Sequence, residues 1–286
     1  MITINQSLIK QFILSGNVIP HCPKFIYYVS ITRQIEQEDR LCWQRGNFFE
    51  HKALGYPGRA PSLPRHKTTG KKTVVTQRIE AQAERFKQDA QFRQIEIQPL
   101  INTQVSIVKR WEKNPNVILK GTLDIFPTPY MNDEGEIELA IIDTKYTGNL
   151  KNDFGQFGWG NPANMDHLQL VFYWYLAKDI DFDLNDKYVP DNYLRELIKP
   201  DIKELLDAGV HTARYMIYDG TPEMNAKNLR VEPTPDKIQE MHESIRKTVS
   251  YIRDYNDAGW PAIPDFEVCK NCPIINCKSR TTEEII

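Results

Sequence analysis

The sequence predicts a mixed α/β fold, a β-sheet flanked by helices. Three observations carry this. The first ninety residues place apolar residues at helical spacing around one Pro/Gly-rich break. Residues 95–147 change to β-branched runs separated by turn signals, and helical periodicity then returns around a single further strand. Of 286 residues, 41% are hydrophobic and 26% charged, so the chain can bury a sizeable core and disorder is not the default.

The elements follow in order. "INQSLIKQFILSG" (4–16) reads as a helix with a glycine near its end. A second helix is expected over about 34–54, where Cys42 is most simply a small buried apolar residue. The loop "GYPGRAPSLPRHKTTGKK" (55–72) precedes a helix from about 76 to 91. Strands are expected in "IEIQPLI" (95–101), "QVSIVKRW" (104–111), "NVILKGTLDIF" (116–126) and "IELAIIDTKYT" (137–147), with "MNDEG" (131–135) as a hairpin turn. A long amphipathic helix over 162–179, a strand over 210–219 and a final helix over 234–257 lead to an irregular, cysteine-rich tail. We read residues 1–286 as one domain: a mainly helical part (1–92), an α/β core (93–220), and a closing helix and tail (221–286).

Charge narrows the function. A net charge of −2 and a pI near 6.3 exclude a wholesale polycation, so any nucleic-acid binding must rest on a local patch. Residues 51–79 carry seven Lys/Arg and no Asp/Glu, which suits either a solvated loop or a phosphate-contacting arm. Lys67, Lys71 and Lys72 are its candidate contacts. "TTGKKT" (68–73) is no phosphate-binding ATPase loop, because the upstream glycine that motif needs is Arg65. The N-terminus lacks a signal-peptide pattern and "LQLVFYWYLA" (168–177) is too short to span a membrane, so a soluble cytoplasmic protein is expected.

The stretch that stands out is "IIDTKY" (141–146), in which Asp143 and Lys145 share one face of a strand. A hairpin turning at Asp133–Glu134 sets Asp124 opposite Asp143, Cβ atoms roughly 5 Å apart; Pro127 and Pro129 could shift that register by a residue. Two facing carboxylates repel unless a cation lies between them, and oxygen donors with open positions suit Mg²⁺ or Mn²⁺. Lys145 could then stabilise charge on a phosphate. Glu50 is a possible third acid, and Gln169 and Tyr173 lie four apart on one helical face.

In order, "GNFFE" (46–50), "GTLD" (121–124), "IIDTK" (141–145) and "QLVFY" (169–173) resemble the motifs of the PD-(D/E)xK nuclease superfamily. The likeness is to RecB-type domains and the CRISPR-associated Cas-four-type exonucleases, and runs from about residue 7 to 280. The resemblance implies a restriction-endonuclease-like core, Asp124 and Asp143 as ligands of Mg²⁺ or Mn²⁺, and Lys145 as the catalytic lysine. Glu50 stands where the Cas-four-type enzymes commonly carry a histidine; a carboxylate there is more like the phage-type recombination exonucleases, and His51 beside it leaves the choice of ligand open. Gln169 and Tyr173 fit the superfamily's Gln-x-x-x-Tyr motif, which helps hold the substrate strand.

Cys269 and Cys272 form a C-x-x-C bite with Cys277 close by, a thiolate set that suits zinc or a [4Fe–4S] cluster. "HCPKFIYY" (21–28) and the tail resemble the first and last motifs of the superfamily's iron–sulfur subgroup, which implies Cys22 as the fourth ligand and a clip joining the two ends of the chain. The expected activity is exonucleolytic hydrolysis of DNA, single-stranded or with free ends, in recombination, repair or replication in a bacterium or phage-infected host. A helicase or recombination partner and oligomer formation are further expectations. The rival readings are an inactive nuclease-like DNA-binding module and a structural zinc protein.

Overall fold

The computed structural model describes residues 1–13, 22–36, 40–57, 59–66, 69–151, 159–160, 166–191, 193–263, 269, 272–274 and 276–278. Strand β1 (Ile2–Asn5) passes directly into helix α1 (Gln6–Phe12), because Asn5 Oδ1 accepts from the Leu8 N–H at 2.7 Å and caps the helix. Helix α2 (Pro23–Phe25) continues as a π-helix, Ile26–Ile31. Helix α3 (Leu41–Leu54) stops at Gly55, whose φ of 70° is the left-handed conformation a glycine adopts without strain. Helix α4 (Val74–Phe92) starts from Thr73, whose hydroxyl accepts from the Thr76 N–H.

Strands β2 (Thr103–Arg110), β3 (Val117–Met131) and β4 (Ile137–Thr147) follow, then helices α5 (Leu168–Ala177), α6 (Phe182–Tyr188), α7 (Leu194–Leu197) and α8 (Pro200–Asp207). Strands β5 (Thr212–Asp219) and β6 (Ala226–Val231) and helix α9 (Pro235–Asp257) complete the order. The six strands form one mixed sheet, ordered β1-β3-β4-β5-β6 with β2 also on β3. The β1–β3 and β4–β5 pairs are parallel and the rest antiparallel. One sheet face packs on α1, α5 and α9 through residues such as Ile9, Phe172 and Ile245. The other packs on α3 and α4, where Phe49, Ile79 and Phe86 meet Ile142 and Tyr218. This is the helix-flanked mixed sheet that the alternating texture predicts.

One feature of the sheet places the site. β2 covers one edge of β3 as far as Ile125. On the other edge, β1 covers Val117–Lys120 and β4 resumes at Ile125, so Gly121–Asp124 face a gap with no strand partner.

Several expectations change. Residues 95–101 form no strand: their backbone is held by side chains, with the Glu96 N–H donating to Thr128 Oγ1 at 3.0 Å and Asn102 Nδ2 donating to the Glu96 carbonyl at 2.8 Å. Pro99 lacks a donor and Leu100 sits at φ 65°, which no strand tolerates. The second helix begins at Leu41, with residues 37–39 outside the described set, and Cys42 in its first turn is exposed. Helix α5 is shorter than expected and has no polar face, since Gln169–Ala177 are all buried. β1 and β6 were not expected. The hairpin turn forms around Asn132, whose Oδ1 accepts from the Glu134 and Glu136 N–H groups, with Gly135 at φ 83°. Among the described residues no helix is long and apolar enough to cross a membrane.

Candidate active site

Ile125 pairs with Ile142, and the register shifts between Ile125 and Thr128, where Pro127 interrupts the ladder. Asp124 and Asp143 are therefore the next residues beyond the last regular pair, at the gap in the sheet. Asp124 Oδ2 accepts from the Thr144 N–H at 2.7 Å and from Thr144 Oγ1 at 3.0 Å. Its Oδ1 accepts from Gln104 Nε2 at 3.1 Å. Gln104 itself holds φ 54°, an uncommon conformation for a residue with a Cβ.

Asp143 is buried at 1% exposure. Its Oδ1 accepts from Gln169 Nε2 at 2.9 Å, and its Oδ2 is ion-paired with Lys145 Nζ. Gln169 Nε2 also donates to Tyr173 Oη at 3.2 Å. The two residues thus lock one another one turn apart on α5. Gly121 of "GTLD" lies under this helix: a Cβ there would stand 2.6 Å from Leu176 Cδ1 and 3.1 Å from Tyr173 Cε1. Without a side chain at this position, Leu176 and Tyr173 of α5 can pack directly on the β3 backbone.

The electrostatics show three acids sharing one base. Burial first, and then the charge of Asp124, lift Glu50 to about 8. Burial likewise raises Asp143 to about 7, with Lys145 opposing and Asp124 reinforcing the shift. Burial alone would lower the Lys145 ammonium, but Asp143 and Asp124 outweigh it and hold the lysine firmly protonated. Glu50, in the C-terminal half of α3, is thus within electrostatic reach of both aspartates. His51 turns to Tyr56, ring centroids 6.0 Å apart and nearly perpendicular.

Among the described residues, no group of three or more His, Cys, Asp or Glu side chains stands arranged to hold a metal ion. The donor set still fits a hard divalent cation. Mg²⁺ commonly takes one or two carboxylates and completes its shell with water and substrate oxygens, and three neighbouring acids against one ammonium leave a deficit of positive charge.

The other candidates fall elsewhere. Lys72 Nζ is 2.6 Å from Glu80 Oε1, and with Lys52, Arg59 and Arg65 it lines a cavity of about 210 Å³ beside α3 and α4. Lys71 is exposed, and Lys67 lies outside the described residues. Cys22 is buried in the core, where Cys272 and Cys277 pack against the same cluster, and Cys22 Sγ accepts from the Ile263 N–H at 3.3 Å. Cys269 is also buried and its carbonyl accepts from the Cys272 N–H at 3.1 Å.

The sequence reading missed Thr144, Gln104 and Lys10, whose ammonium is 2.5 Å from Asp166 and favours the charged form of Asp143. Thr144 was in plain view inside "IIDTKY". Gln104 could be found only from strand register, which sets β2 against β3.

Comparison with known proteins bears on the family and the fold. The family model of the PD-(D/E)XK nuclease superfamily matches residues 28–277. Among solved structures, a protein from Eubacterium rectale provisionally named an exonuclease superposes with a TM-score of 0.58 at 14% identity, covering 99% of this chain and 90% of its own. The structure of SSO0001 gives a TM-score of 0.38 at 12% identity, over 98% of this chain and 87% of its own, too low to carry an argument. No curated protein matches.

Proposed function

We propose that this chain, which belongs to the PD-(D/E)XK nuclease superfamily, is a divalent-metal-dependent deoxyribonuclease that degrades DNA from its ends, preferring single strands. Nucleases of this superfamily generally use Mg²⁺ or Mn²⁺. The observation that carries the reading is the pair of buried aspartates at the sheet gap, one held by Thr144 and Gln104 and the other ion-paired with Lys145. The exonuclease assignment draws on the motif resemblance and on the name of the Eubacterium rectale neighbour.

Asp124, Asp143 and Glu50 would hold the metal, which when bound supplies a water made acidic enough to attack and neutralises charge on the phosphate. Thr144 and Gln104 fix the Asp124 carboxylate, and Gln169 fixes that of Asp143. Lys145, permanently charged, faces the scissile phosphate and offsets the charge that develops there. Tyr173 holds Gln169 and borders the strand's path.

The cysteines belong to the same proposal in a structural role. Cys22, Cys269, Cys272 and Cys277 would bind a [4Fe–4S] cluster, or zinc in its place, clipping the tail to the N-terminal part of a single nuclease domain. Their support is that Cys22, Cys272 and Cys277 meet one core cluster. DNA is the expected substrate, and a helicase or recombination partner and a role in recombination, repair or replication stay part of the proposal.

The test is degradation of end-labelled single-stranded DNA with Mg²⁺ or Mn²⁺, wild type against Lys145→Ala. Metal-dependent loss of label that the variant lacks supports the assignment. Equal cleavage by both sinks it. Binding without cleavage by either makes the chain a nuclease-like binding module. Iron and zinc analysis of the same preparation, with its visible spectrum, decides the cysteine reading.

A further inference from the structure

The gap in the sheet extends beyond Asp124. Where β1 ends, the unpartnered edge of β3 opens into a cavity of about 200 Å³, bordered by Gln6, Arg33, Lys120, Gly121, Thr122 and Tyr173. Its lining holds two cations and no acid. Among the described residues, neither Arg33 nor Lys120 makes an ion pair or a side-chain hydrogen bond, unlike Lys72, which is spent on Glu80. Gln6, only 7% exposed, keeps its Nε2 buried without a hydrogen-bond partner. That Nε2 is closed off from the cavity, so the two free cations are what it offers an acceptor-rich guest.

The cavity is joined to the proposed catalytic centre in two ways. Tyr173 borders it and binds Gln169, which binds Asp143. Thr122 precedes Asp124 by two residues on β3, and Lys120 by four, about 13 Å along an extended strand. A nucleic-acid strand with its scissile phosphate at the aspartates would carry a neighbouring phosphate into this gap.

We infer that the cavity at the end of β1 is a phosphate subsite for the substrate strand, with Arg33 and Lys120 as its cationic contacts. The inference rests on the nuclease reading and deepens it. Arg33 can meet two phosphate oxygens with its guanidinium fork, and Lys120 supplies a point charge.

The experiment measures binding of a fluorescein-labelled single-stranded oligonucleotide in EDTA, across 50 to 200 mM salt. The Lys145→Ala protein serves as background for Arg33→Ala, Lys120→Ala and the double variant. Each single substitution should weaken binding about five- to tenfold at low salt and lower the log–log salt slope by about 0.7. In the wild-type background KM should rise with kcat kept, and Arg33→Lys should retain most of the slope. Lys120→Gln repeats the test should Lys120→Ala fail to fold. Unchanged slopes and KM while wild type degrades DNA overturn the subsite and leave the nuclease standing. A fall in kcat alone also overturns it. A wild type that neither binds nor degrades DNA removes the nuclease reading, and this inference with it.

Discussion

Asp124 Oδ2 accepts two hydrogen bonds from one residue, the Thr144 N–H at 2.7 Å and the Thr144 hydroxyl at 3.0 Å. The carboxylate takes the place of a backbone acceptor just where β3 and β4 stop pairing, so an acid is fixed where the ladder opens. Thr144, placed between Asp143 and Lys145, ties the two strands' acids into one unit.

Replacing that hydroxyl tests the tie. Thr144→Val keeps the shape and loses one hydrogen bond to a charged group, worth about 1.5 kcal/mol, or roughly tenfold in kcat. Thr144→Ser should stay within about twofold of wild type, since it keeps the bond. Single-turnover cleavage rates check both, and equal rates for Val and wild type would show that Asp124 needs no such support.

Gly121 should accept no side chain. In Gly121→Ala the Cβ would stand 2.6 Å from Cδ1 of the wholly buried Leu176, so that side chain must shift within the core. Overpacking of this kind costs about 1–3 kcal/mol. Because the displaced helix carries Tyr173 and Gln169, cleavage should fall with stability. Thermal melting beside an activity assay reads both, and a variant with wild-type Tm contradicts the close packing.

The acidic centre predicts a pH dependence in the metal-free protein. Glu50 is raised from 4.5 to about 8, chiefly by burial and then by Asp124. The folded state therefore holds a proton that the unfolded chain has released, and this contribution to stability is full below about 4.5 and lost as pH rises through about 8. Metal-free wild type should melt progressively lower from pH 5 to 8.5, and Glu50→Gln should flatten that decline. With Glu50 as a ligand, as proposed, Mg²⁺ would have to displace this proton, so its affinity should rise with pH over the same range, as calorimetry would register. A decline equally steep in Glu50→Gln would show that Glu50 is not the group responsible.

A second pH dependence lies away from the site. His211 is buried against Trp174, with rings stacked 5.3 Å apart, and burial lowers its pKa from 6.5 to about 4 despite the Trp174 carbonyl. The unfolded chain binds this proton below 6.5 while the folded state refuses it, so stability is whole above 6.5 and lost as pH falls toward 4. The loss reaches about 3 kcal/mol at full protonation. Denaturant midpoints at pH 7 and pH 4.5 should lie closer together in His211→Gln than in wild type, and identical shifts would exclude His211 as the source.

Much of this was legible in the residues. The helix-flanked mixed sheet followed from periodicity, the hairpin from "MNDEG", and the pairing of the acid strands from counting back from that turn. Local rules failed where long-range contacts overrode them. "IEIQPLI" has a strand's composition, yet Thr128 and Asn102 supply its hydrogen bonds and Pro99 bars the ladder. A long amphipathic helix was expected over 162–179, but Gln169–Ala177 of α5 are all buried.

What the sequence determined alone was the inventory and its order: an acid before the bulge, an acid and a base on one face of the next strand, a Gln and a Tyr one helical turn apart. Those rest on periods of 2.0 and 3.6 residues, which the backbone imposes locally. What tertiary structure decided was which groups meet. The gap between β1 and β4, the bond from Gln104 to Asp124, and the placing of Arg33 beside Lys120 join segments far apart in the chain. No local period encodes such meetings, because they are settled only when the sheet closes its register and buries both faces.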